Sequence, residues 1–336
     1  MKQITFFDCS DYDKLFFEKE CFEKYKTFFT KKSLNFSINL TEEMKESEII
    51  SCFTISVLSE KILNNFPKLE LIALRCVGFN NIDIDYCKKN NIKVVNSRGY
   101  GNRTVAEFAL GLLLDVSRNI SKSYLSLLDN ERKKYEAGIE LKGKTIGIIG
   151  VGSIGSELVK ISHGLGMNVL GYDLFKNKEL IEKYDLKYLN LDDVLANSDF
   201  ISLHSPLTKE TYHMINEEKL SLMNENAIIV NTARGELIDT KALYKALSFG
   251  TIKGAGLDVL ECEESFNDKD LKYDMDYLDK QTIKQILLNH EITKLDNVVI
   301  TPHIAYDTQE AICNIHKITI DNINSYFSGK LKNNVY

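Results

Sequence analysis

The sequence predicts an α/β protein built from doubly wound parallel sheets, and three observations support this fold class. Short runs of valine, isoleucine and leucine recur along the chain, each followed by a helical stretch, and most of these runs are continuous rather than alternating with polar residues. Continuous apolar runs are typical of parallel strands buried on both faces, and strands that alternate with helices form right-handed βαβ units. The length of 336 residues favours two domains.

The predicted strands form two groups. The group near the N-terminus comprises residues 3–7, 48–54, 69–75 and 92–96. The second group comprises residues 145–149, 168–172, 199–204, 227–231, 252–259 and 297–301. Each group supplies enough strands for a sheet of its own, so we expect a domain boundary in the region that separates them.

That region is predicted to be helical. Thr104 and Glu107 fit a capping box, in which the threonine hydroxyl accepts a hydrogen bond from the backbone amide of the glutamate. The apolar run over residues 106–114 then predicts a buried helix, packed either between domains or against another subunit.

A glycine-rich loop follows the first strand of the second group. Gly150, Gly152 and Gly155 form the pattern G-x-G-x-x-G between that strand and a helical stretch. The first glycine permits a tight turn, the second lets a pyrophosphate approach the backbone, and the third lets the helix pack closely on the strand. The amides at the start of the helix would bind the phosphates. The sequence therefore predicts a dinucleotide site.

The next strand ends at Asp173, about 20 residues beyond the loop. A carboxylate at this position accepts hydrogen bonds from the adenosine ribose and repels a 2′-phosphate, so Asp173 favours NAD over NADP. Because the loop begins only at residue 150, a separate α/β domain precedes it. We expect that domain to bind substrate.

Polar residues follow three later strands of the second group: Arg234, the acids at 258–264, and His303. Ligands bind at the carboxyl ends of strands in open α/β sheets. Beside a nicotinamide, an arginine would bind a substrate carboxylate, and a histidine would donate a proton to a keto oxygen as hydride arrives at carbon. A carboxylate beside the imidazole would favour its protonated form. This set predicts a site for the reduction of a 2-keto acid.

Composition argues against several other classes of function. The chain has 42 Lys and Arg against 48 Asp and Glu, a formal net charge of −6, so no basic excess is present for nucleic acid or an anionic membrane. The most apolar run, residues 108–114, is too short to span a bilayer, and charged residues among residues 8–20 leave no apolar core for a signal peptide. We therefore expect a cytoplasmic protein that binds neither nucleic acid nor membrane.

The cysteines are scattered. There are seven, an odd count, and none of them has C-x-x-C spacing. Such usage is typical of reduced thiols rather than a disulfide framework or a zinc site, and no cluster of His, Cys and Asp has metal-ligand spacing. We expect no bound metal.

Together, the motifs resemble those of the D-isomer-specific 2-hydroxyacid dehydrogenase family, and most closely those of its bacterial D-lactate dehydrogenase branch. The resemblance extends from about residue 49 to about residue 306. The stretches that carry it are residues 71–83, 104–107, the loop from Gly150, 204–208, 231–235, 257–261 and 301–305.

The resemblance implies a domain arrangement. A Rossmann NAD domain over residues 102–301 would be inserted into a flavodoxin-like substrate domain formed by residues 1–101 and 302–336. A dimerisation helix near residues 103–128 would make the protein a homodimer.

The resemblance also assigns site residues. The catalytic residues would be Arg234, Glu263 and His303, with Glu261 and Glu264 as competing positions for the carboxylate. NAD would be bound by Gly150, Gly152, Ser153, Ile154, Gly155, Asp173, Ser205, Pro206, Thr232, Ala233 and Asp258. The substrate would be bound by Arg234, the backbone of Val77 and Gly78, and Tyr100.

The implied activity is the NAD-dependent interconversion of a 2-keto acid and a D-2-hydroxy acid, with pyruvate and D-lactate as the favoured pair. Two departures from the family pattern bear on that pair: Gly101-Asn102 replaces the Ser-Pro of many relatives, and Asp307 stands where lactate dehydrogenases often have an aromatic residue. Glycerate, phosphoglycerate and longer 2-keto acids are therefore alternative substrates. A transcriptional corepressor that reads NADH on the same scaffold is the alternative outside catalysis.

Three features have two interpretations each. Arg75 could either pair with an acid or bind substrate. His204 could be either a structural hydrogen-bonding residue or a functional contact. Residues 263–294 are rich in charge and lack glycine and proline, which is typical of a solvated helical insertion, with a substrate gate as the alternative.

Overall fold

The computed structural model describes residues 1–21, 23–35, 38–79, 81–128, 137–263 and 279–336. The chain divides into two compact units, Met1–Gly101 with Thr308–Tyr336, and Asn102–Asp307. Each unit contains one parallel β-sheet. The second unit is therefore inserted into the sequence of the first.

The described part of the first unit has a sheet with the flavodoxin-like strand order. Its strands are β1 (Lys2–Phe6), β2 (Tyr25–Phe29), β3 (Ile49–Cys52), β4 (Leu71–Leu74) and β5 (Lys93–Val95). They pair in parallel in the order β2-β1-β3-β4-β5, which is one of the two common orders of doubly wound sheets. The sequence did not predict the edge strand β2.

The described part of the second unit has the Rossmann strand order. Its strands are β6 (Thr145–Ile149), β7 (Asn168–Tyr172), β8 (Lys187–Tyr188), β9 (Phe200–Leu203), β10 (Ile228–Asn231), β11 (Gly254–Leu257) and β12 (Val298–Ile300). They pair in parallel in the order β12-β11-β10-β9-β6-β7-β8. Counted from β6, this is the order 3-2-1-4-5-6 with β12 added beyond it. The sequence did not predict β8.

Helices connect the strands of both sheets. They are α1 (Asp11–Cys21), α2 (Glu42–Lys45), α3 (Glu60–Leu63), α4 (Ile84–Lys89), α5 (Asn102–Arg118), α6 (Ile120–Leu128), α7 (Ser153–Gly164), α8 (Lys178–Tyr184), α9 (Leu191–Ala196), α10 (Glu217–Ser221), α11 (Thr240–Ser248), α12 (Lys280–Thr293) and α13 (Gln309–Phe327). A 3₁₀ turn covers Gly235–Leu237. In the part of the chain that the structure describes, no helix has the length and apolar character that crossing a membrane requires.

The core of the first unit explains its sequence pattern. β3 and β4 are buried along their whole lengths, which accounts for their continuous apolar runs. Phe6 of β1 stacks on Phe17 of α1 with ring centroids 4.3 Å apart. Ile323 of α13 belongs to the same buried cluster, so the last helix of the chain completes the core of the unit that contains its first strand.

Arg75, directly after β4, pairs with an acid, one of the two roles that the sequence left open. The Arg75 side chain is buried and its guanidinium lies 3.6 Å from the Asp13 carboxylate, which also contacts His316 Nε2 at 2.5 Å. Burial alone would raise the pKa of Asp13, but the His316 hydrogen bond, the Arg75 charge and hydrogen bonds from Ser10 lower this pKa to about 2. The Asp13 carboxylate therefore stays charged at neutral pH.

The helix α5 corrects two predictions. It begins at Asn102, so Thr104 lies inside the helix rather than at its cap, and Glu107 instead accepts a hydrogen bond from Arg103 Nε at 2.6 Å. Its buried face packs on the sheet of its own unit, whereas the sequence predicted another domain or another subunit as the cover: a Cβ at Gly256 of β11 would lie 2.9 Å from the Leu112 side chain. The glycine therefore allows the helix to lie close to the sheet.

The second boundary between the units along the chain also differs from the predicted one. Residues 302–307 belong to the second unit, whereas the sequence predicted a boundary at 301/302. Hydrogen bonds to Asp258 explain the difference: its carbonyl accepts from the His303 amide, and its carboxylate accepts from the amides of Ile304 and Ala305. These bonds hold the segment after β12 on the second sheet.

Candidate active site

The site is assembled at one edge of the second sheet. All of its strands run in parallel, so the residues that follow them lie at the same carboxyl edge. Gly150 follows β6, His204 follows β9, Arg234 lies in the turn after β10, Asp258 follows β11, and His303 lies just beyond β12. The chain order of the strands reverses between β6 and β9, which is where nucleotides bind in such sheets.

The glycine loop has the geometry that the motif requires. Gly150 has a φ of 92°, and a Cβ there would lie 2.6 Å from the amide nitrogen of Ser205. A Cβ at Gly155 would overlap the carbonyl of Gly150, whereas a Cβ at Gly152 would meet no atom within 4 Å. Gly150 and Gly155 therefore serve close packing of the backbone, and the space over Gly152 is open for a ligand.

The amides at the start of α7 are oriented for phosphate binding. Gly152 is the N-cap of this helix and supplies no side-chain hydrogen bond to it. The first helical residues, Ser153 and Ile154, are the predicted cofactor contacts. Helix N-termini without a side-chain cap bind anions through their backbone amides and the helix dipole.

Two buried polar atoms near this loop have no partner among the described residues. They are Thr232 Oγ1 and His204 Nδ1. The other ring nitrogen of His204 lies 2.9 Å from Ser202 Oγ, and burial lowers the pKa of His204 to about 4, so the imidazole is neutral. Buried polar atoms without partners are rare in folded proteins, and here they fit a polar cofactor bound over the loop.

Asp173 stands directly after β7, as predicted. Its Oδ1 accepts a hydrogen bond from the amide of Phe175 at 2.8 Å, which fixes the carboxylate at the strand end. The residues around the Gly150 loop therefore fit a dinucleotide: the amides of α7 would hold its phosphates, and Asp173 would accept from its adenosine ribose.

The predicted cofactor contacts after β9 and β10 lie in ordered turns. Ser205 is buried against Gly150, and the Pro206 carbonyl accepts a hydrogen bond from Thr211 Oγ1 at 2.7 Å. The Ala233 amide donates to Asn231 Oδ1 at 3.0 Å.

His303 and Glu263 form a close pair. The Nδ1 atom of His303 lies 2.6 Å from Glu263 Oε1, and both side chains are partly exposed. The Leu260 amide donates to the second carboxylate oxygen at 3.2 Å. A charge-assisted contact of this kind stabilises imidazolium relative to imidazole. It leaves Nε2 of His303 as the nitrogen able to exchange a proton with a substrate.

A small cavity adjoins this pair. Its volume is about 130 Å³, and Asp258, Leu260, Glu263, Thr301, Pro302 and His303 are among its lining residues. His303 has a φ of 56°, a conformation that is uncommon for residues other than glycine and that clusters at functional sites.

Asp258 has a structural task besides any contact with a cofactor. Its carboxylate accepts hydrogen bonds from Thr301 Oγ1 at 2.5 Å and from the amides of Ile304 at 3.0 Å and Ala305 at 2.9 Å. Burial raises the pKa of Asp258, although these bonds and the nearby His303 act against the increase. Both carboxylate oxygens are therefore engaged in holding the turn that carries His303.

The structure distinguishes between two of the three candidate acids. Glu261 is buried and its carboxylate contacts His213 Nε2 at 2.7 Å and the Thr240 amide at 3.0 Å. Glu263 contacts His303. Glu264 lies outside the described residues, as do residues 265–278 of the predicted insertion, whose later part is the helix α12.

Arg234 lies in a turn that is braced from within. Asn231 Nδ2 donates to the Arg234 carbonyl at 2.8 Å, and Arg234 Nη1 donates to the Ala233 carbonyl at 2.6 Å. A Cβ on Gly235 would overlap the backbone of Leu260 and Glu261. The segment that carries Arg234 therefore packs directly on the segment that leads to Glu263.

The predicted substrate contacts outside this unit lie at the carboxyl edge of the first sheet. Val77 and Gly78 follow β4, and Asn96 Nδ2 donates to the Val77 carbonyl at 2.7 Å. The Tyr100 carbonyl accepts from Asn314 Nδ2 at 3.2 Å. Sequence reasoning missed Asn96, although its position at the end of a predicted strand was a signal for it.

Metal ligands are not grouped anywhere in the described ranges. No cluster of three or more His, Cys, Asp and Glu side chains there could hold a metal ion. All seven cysteines are free thiols.

Comparison with known proteins identifies relatives of both units. The family model described as "D-isomer specific 2-hydroxyacid dehydrogenase, NAD binding domain" matches residues 110–305. A 2-hydroxyacid dehydrogenase homolog of Zymomonas mobilis is 36% identical over 335 residues, covering 98% of each chain. A glyoxylate reductase of Thermococcus litoralis is 38% identical over 304 residues, which are 88% of this chain and 85% of the relative.

A solved structure resembles the whole chain. It is the D-lactate dehydrogenase of Aquifex aeolicus complexed with NAD and lactic acid, with a TM-score of 0.84 and 36% identity. The match covers 99% of this chain and 98% of the other.

Proposed function

Since the chain belongs to the D-isomer-specific 2-hydroxyacid dehydrogenase family, we propose that it interconverts pyruvate and D-lactate, with His303 as acid and base. Its cofactor is NAD, as the matched NAD-binding domain implies. The observation that carries the proposal is the 2.6 Å contact between His303 Nδ1 and Glu263 Oε1, at the same sheet edge as Arg234.

His303 supplies the proton of the reaction. The chemistry that a bound nicotinamide contributes is hydride transfer to or from the substrate carbon. In the reduction, His303 donates the proton on Nε2 to the keto oxygen, and Glu263 stabilises the imidazolium through Nδ1 until that transfer occurs. In the oxidation, neutral His303 accepts the hydroxyl proton at the same atom.

Arg234 binds the substrate carboxylate. Its guanidinium keeps its charge at all physiological pH values and presents paired N–H donors that match a carboxylate. Bound in this way, the keto acid has its reacting carbonyl held at a fixed distance from the arginine. The backbone amides of Val77 and Gly78 are proposed as substrate contacts on the family resemblance alone.

Glyoxylate is the second candidate substrate, because the Thermococcus litoralis relative, at 38% identity, is a glyoxylate reductase. The experiment measures the loss of NADH absorbance with pyruvate, glyoxylate, hydroxypyruvate and 2-ketoisocaproate. Chiral analysis follows for every product except glycolate, which has no stereocentre. The proposal expects the highest kcat/KM with pyruvate and a D-configured product. A higher kcat/KM with another keto acid would make that acid, not pyruvate, the preferred substrate. An L-configured product would overturn the stereochemical claim.

The same assay tests the alternative outside catalysis. A corepressor that reads NADH would bind the nucleotide but turn over none of these keto acids. We favour the enzyme because His303, Glu263 and Arg234 are all present at one sheet edge, whereas a nucleotide sensor has no need of the three together.

We also propose a homodimer in the cytoplasm. α6 has five large apolar side chains that are each more than half exposed, Ile120, Tyr124, Leu125, Leu127 and Leu128. Beside it lies a groove of about 640 Å³ lined by α5, α6 and residues 293–301. A second copy on this face would remove apolar surface from water. Sedimentation equilibrium distinguishes a monomer from a dimer.

The proposed location in the cytoplasm is supported by the cysteines. None of the seven forms a disulfide bond, which suits a reducing compartment.

The position of Asp173 predicts the choice between cofactors. NADH should be used at least about tenfold better than NADPH by kcat/KM, because the carboxylate repels a 2′-phosphate. Asp173→Ala should narrow this ratio by removing the charge. Steady-state kinetics with both cofactors measure it, and equal use of the two by the wild type would refute the assignment.

A further inference from the structure

Two acids separated by one residue serve different parts of the structure. The Glu261 carboxylate contacts His213 and Thr240, whereas the Glu263 carboxylate contacts His303. The side chains of a continuous extended segment would place residues two apart on the same side. The backbone conformation at Cys262, between the two acids, therefore determines that Glu263 contacts His303.

Glu261 is anchored on one side of this segment. Besides His213 and the Thr240 amide, its carboxylate accepts from the Thr240 hydroxyl, and its carbonyl accepts from Asn289 Nδ2 at 2.7 Å. Glu261, Thr240 and Asn289 are all buried. The His213 amide donates in turn to the Glu236 carbonyl at 2.8 Å, close to Arg234 in sequence. This anchor fixes the chain immediately before Cys262.

The backbone of Cys262 has a left-handed conformation. Its φ is 54°, and its side chain is exposed. Glycine adopts this region freely and asparagine tolerates it, but β-branched residues strongly disfavour it. This conformation changes the direction of the chain at Cys262, so that the next side chain, Glu263, contacts His303.

We propose that Cys262 is a positioning residue of the active site, whose left-handed backbone, held by the buried anchor at Glu261, directs Glu263 onto His303. The inference rests on the proposed function, and it assigns no chemistry to the thiol. It explains how one short segment supplies both a structural carboxylate and the carboxylate that contacts the acid–base histidine.

The test compares three substitutions at one position, Cys262→Val, Cys262→Gly and Cys262→Asn. The β-branched valine should turn Glu263 away from His303, so kcat for keto acid reduction should fall about tenfold, as expected for a misplaced catalytic group. With Glu263 turned away from His303, the rate of reduction should also begin to decline at a lower pH than in the wild type. Glycine and asparagine should restore the wild-type profile because they accept the left-handed backbone.

The charged groups around His303 define what this profile reports. Among the described residues, Glu263 contacts Nδ1, and the Asp258 carboxylate binds the amides of the two residues that follow His303. Asp258 is unchanged in all three variants. A shift that occurs with valine and is absent with glycine and asparagine therefore reports the placement of Glu263.

Two further measurements separate positioning from damage. The Kd for NADH, from the change in nicotinamide fluorescence on binding, should stay unchanged in all variants. Cys313→Val, a half-buried thiol within α13, controls for the general cost of this substitution and should leave the pH profile in place.

The outcomes are distinct from those of the proposed function. A wild-type protein inactive with every 2-keto acid would remove the proposed function itself. An active wild type whose valine variant keeps both kcat and the pH profile would overturn the positioning role alone. Equal impairment by valine, glycine and asparagine would show that the thiol, not the backbone, is what matters, and would also overturn the inference.

Discussion

Replacing His303 by alanine should lower kcat for pyruvate reduction by about 10²–10⁴-fold, the usual contribution of a general acid. Within the His303–Glu263 pair, Nε2 is the atom that can donate a proton to the substrate, because Nδ1 contacts the Glu263 carboxylate 2.6 Å away. Alanine removes this donor. KM for pyruvate should change much less, since Arg234 still binds the carboxylate. Single-turnover kinetics with saturating NADH measure the chemical step directly.

His163→Ala is the matched control for this variant. His163 is exposed in the last turn of α7, and its loss should leave turnover unchanged. Near wild-type turnover by His303→Ala would show that the proton comes from another group.

Arg234→Gln should reduce kcat/KM for pyruvate by about 10²–10³-fold, equivalent to about 3–4 kcal/mol, as expected when a charged partner of a bound carboxylate is removed. The loss should be visible in a raised KM as well as a lowered kcat, because the arginine contacts the carboxylate in the ground state and the transition state alike. This pattern distinguishes it from His303→Ala.

Arg234→Lys tests whether charge alone is sufficient. Lysine keeps the charge but lacks the paired donors, so it should recover only part of the lost kcat/KM. An unchanged KM in Arg234→Gln would place the carboxylate elsewhere. The Asn231 hydrogen bond to the Arg234 carbonyl involves only backbone on the arginine side, so the turn itself should persist in both variants.

The central strands could be predicted from sequence because their environment leaves a simple pattern. β9 and β10 are buried along their whole lengths, so every position except Asn231 is apolar or small. The edge strands β2 and β8 have one neighbour each. Lysine stands at their exposed positions, and threonine and tyrosine are among their half-exposed residues. Such mixed segments resemble loops until the partner strand is known.

The helix α5 shows where periodicity stops being informative. Its apolar run predicts burial, and burial is observed, but the run does not say what covers it. The covering element is the sheet of the same unit, which Gly256 admits by lacking a side chain. The start of the helix at Asn102 rather than after Thr104 was hidden for a similar reason, since Glu107 had an alternative partner in Arg103.

The roles of the acidic residues in the site also could not be distinguished from sequence alone. Motif and spacing placed a carboxylate within 258–264, but Glu261 and Glu263 are chemically identical. Their tasks differ because Glu261 contacts Thr240 and His213, both distant in sequence, and because Cys262 has a left-handed backbone. Likewise, the hydrogen bonds that Asp258 accepts from the amides after His303 decide which unit holds residues 302–307. These are tertiary contacts, and no local pattern encodes them.

The pH dependence of a Glu263→Gln variant tests the central claim, that a His303–Glu263 pair moves the substrate proton. Glutamine keeps a hydrogen-bonding side chain but removes the charge that stabilises imidazolium. Reduction requires imidazolium, so its kcat/KM should begin to fall at a lower pH than in the wild type. Oxidation requires neutral imidazole, so its activity should extend to lower pH by a similar amount. Glu264→Gln, one residue away, should leave both profiles in place. Parallel displacement of the two profiles in Glu263→Gln alone is the predicted result, and unchanged profiles in that variant would contradict the account.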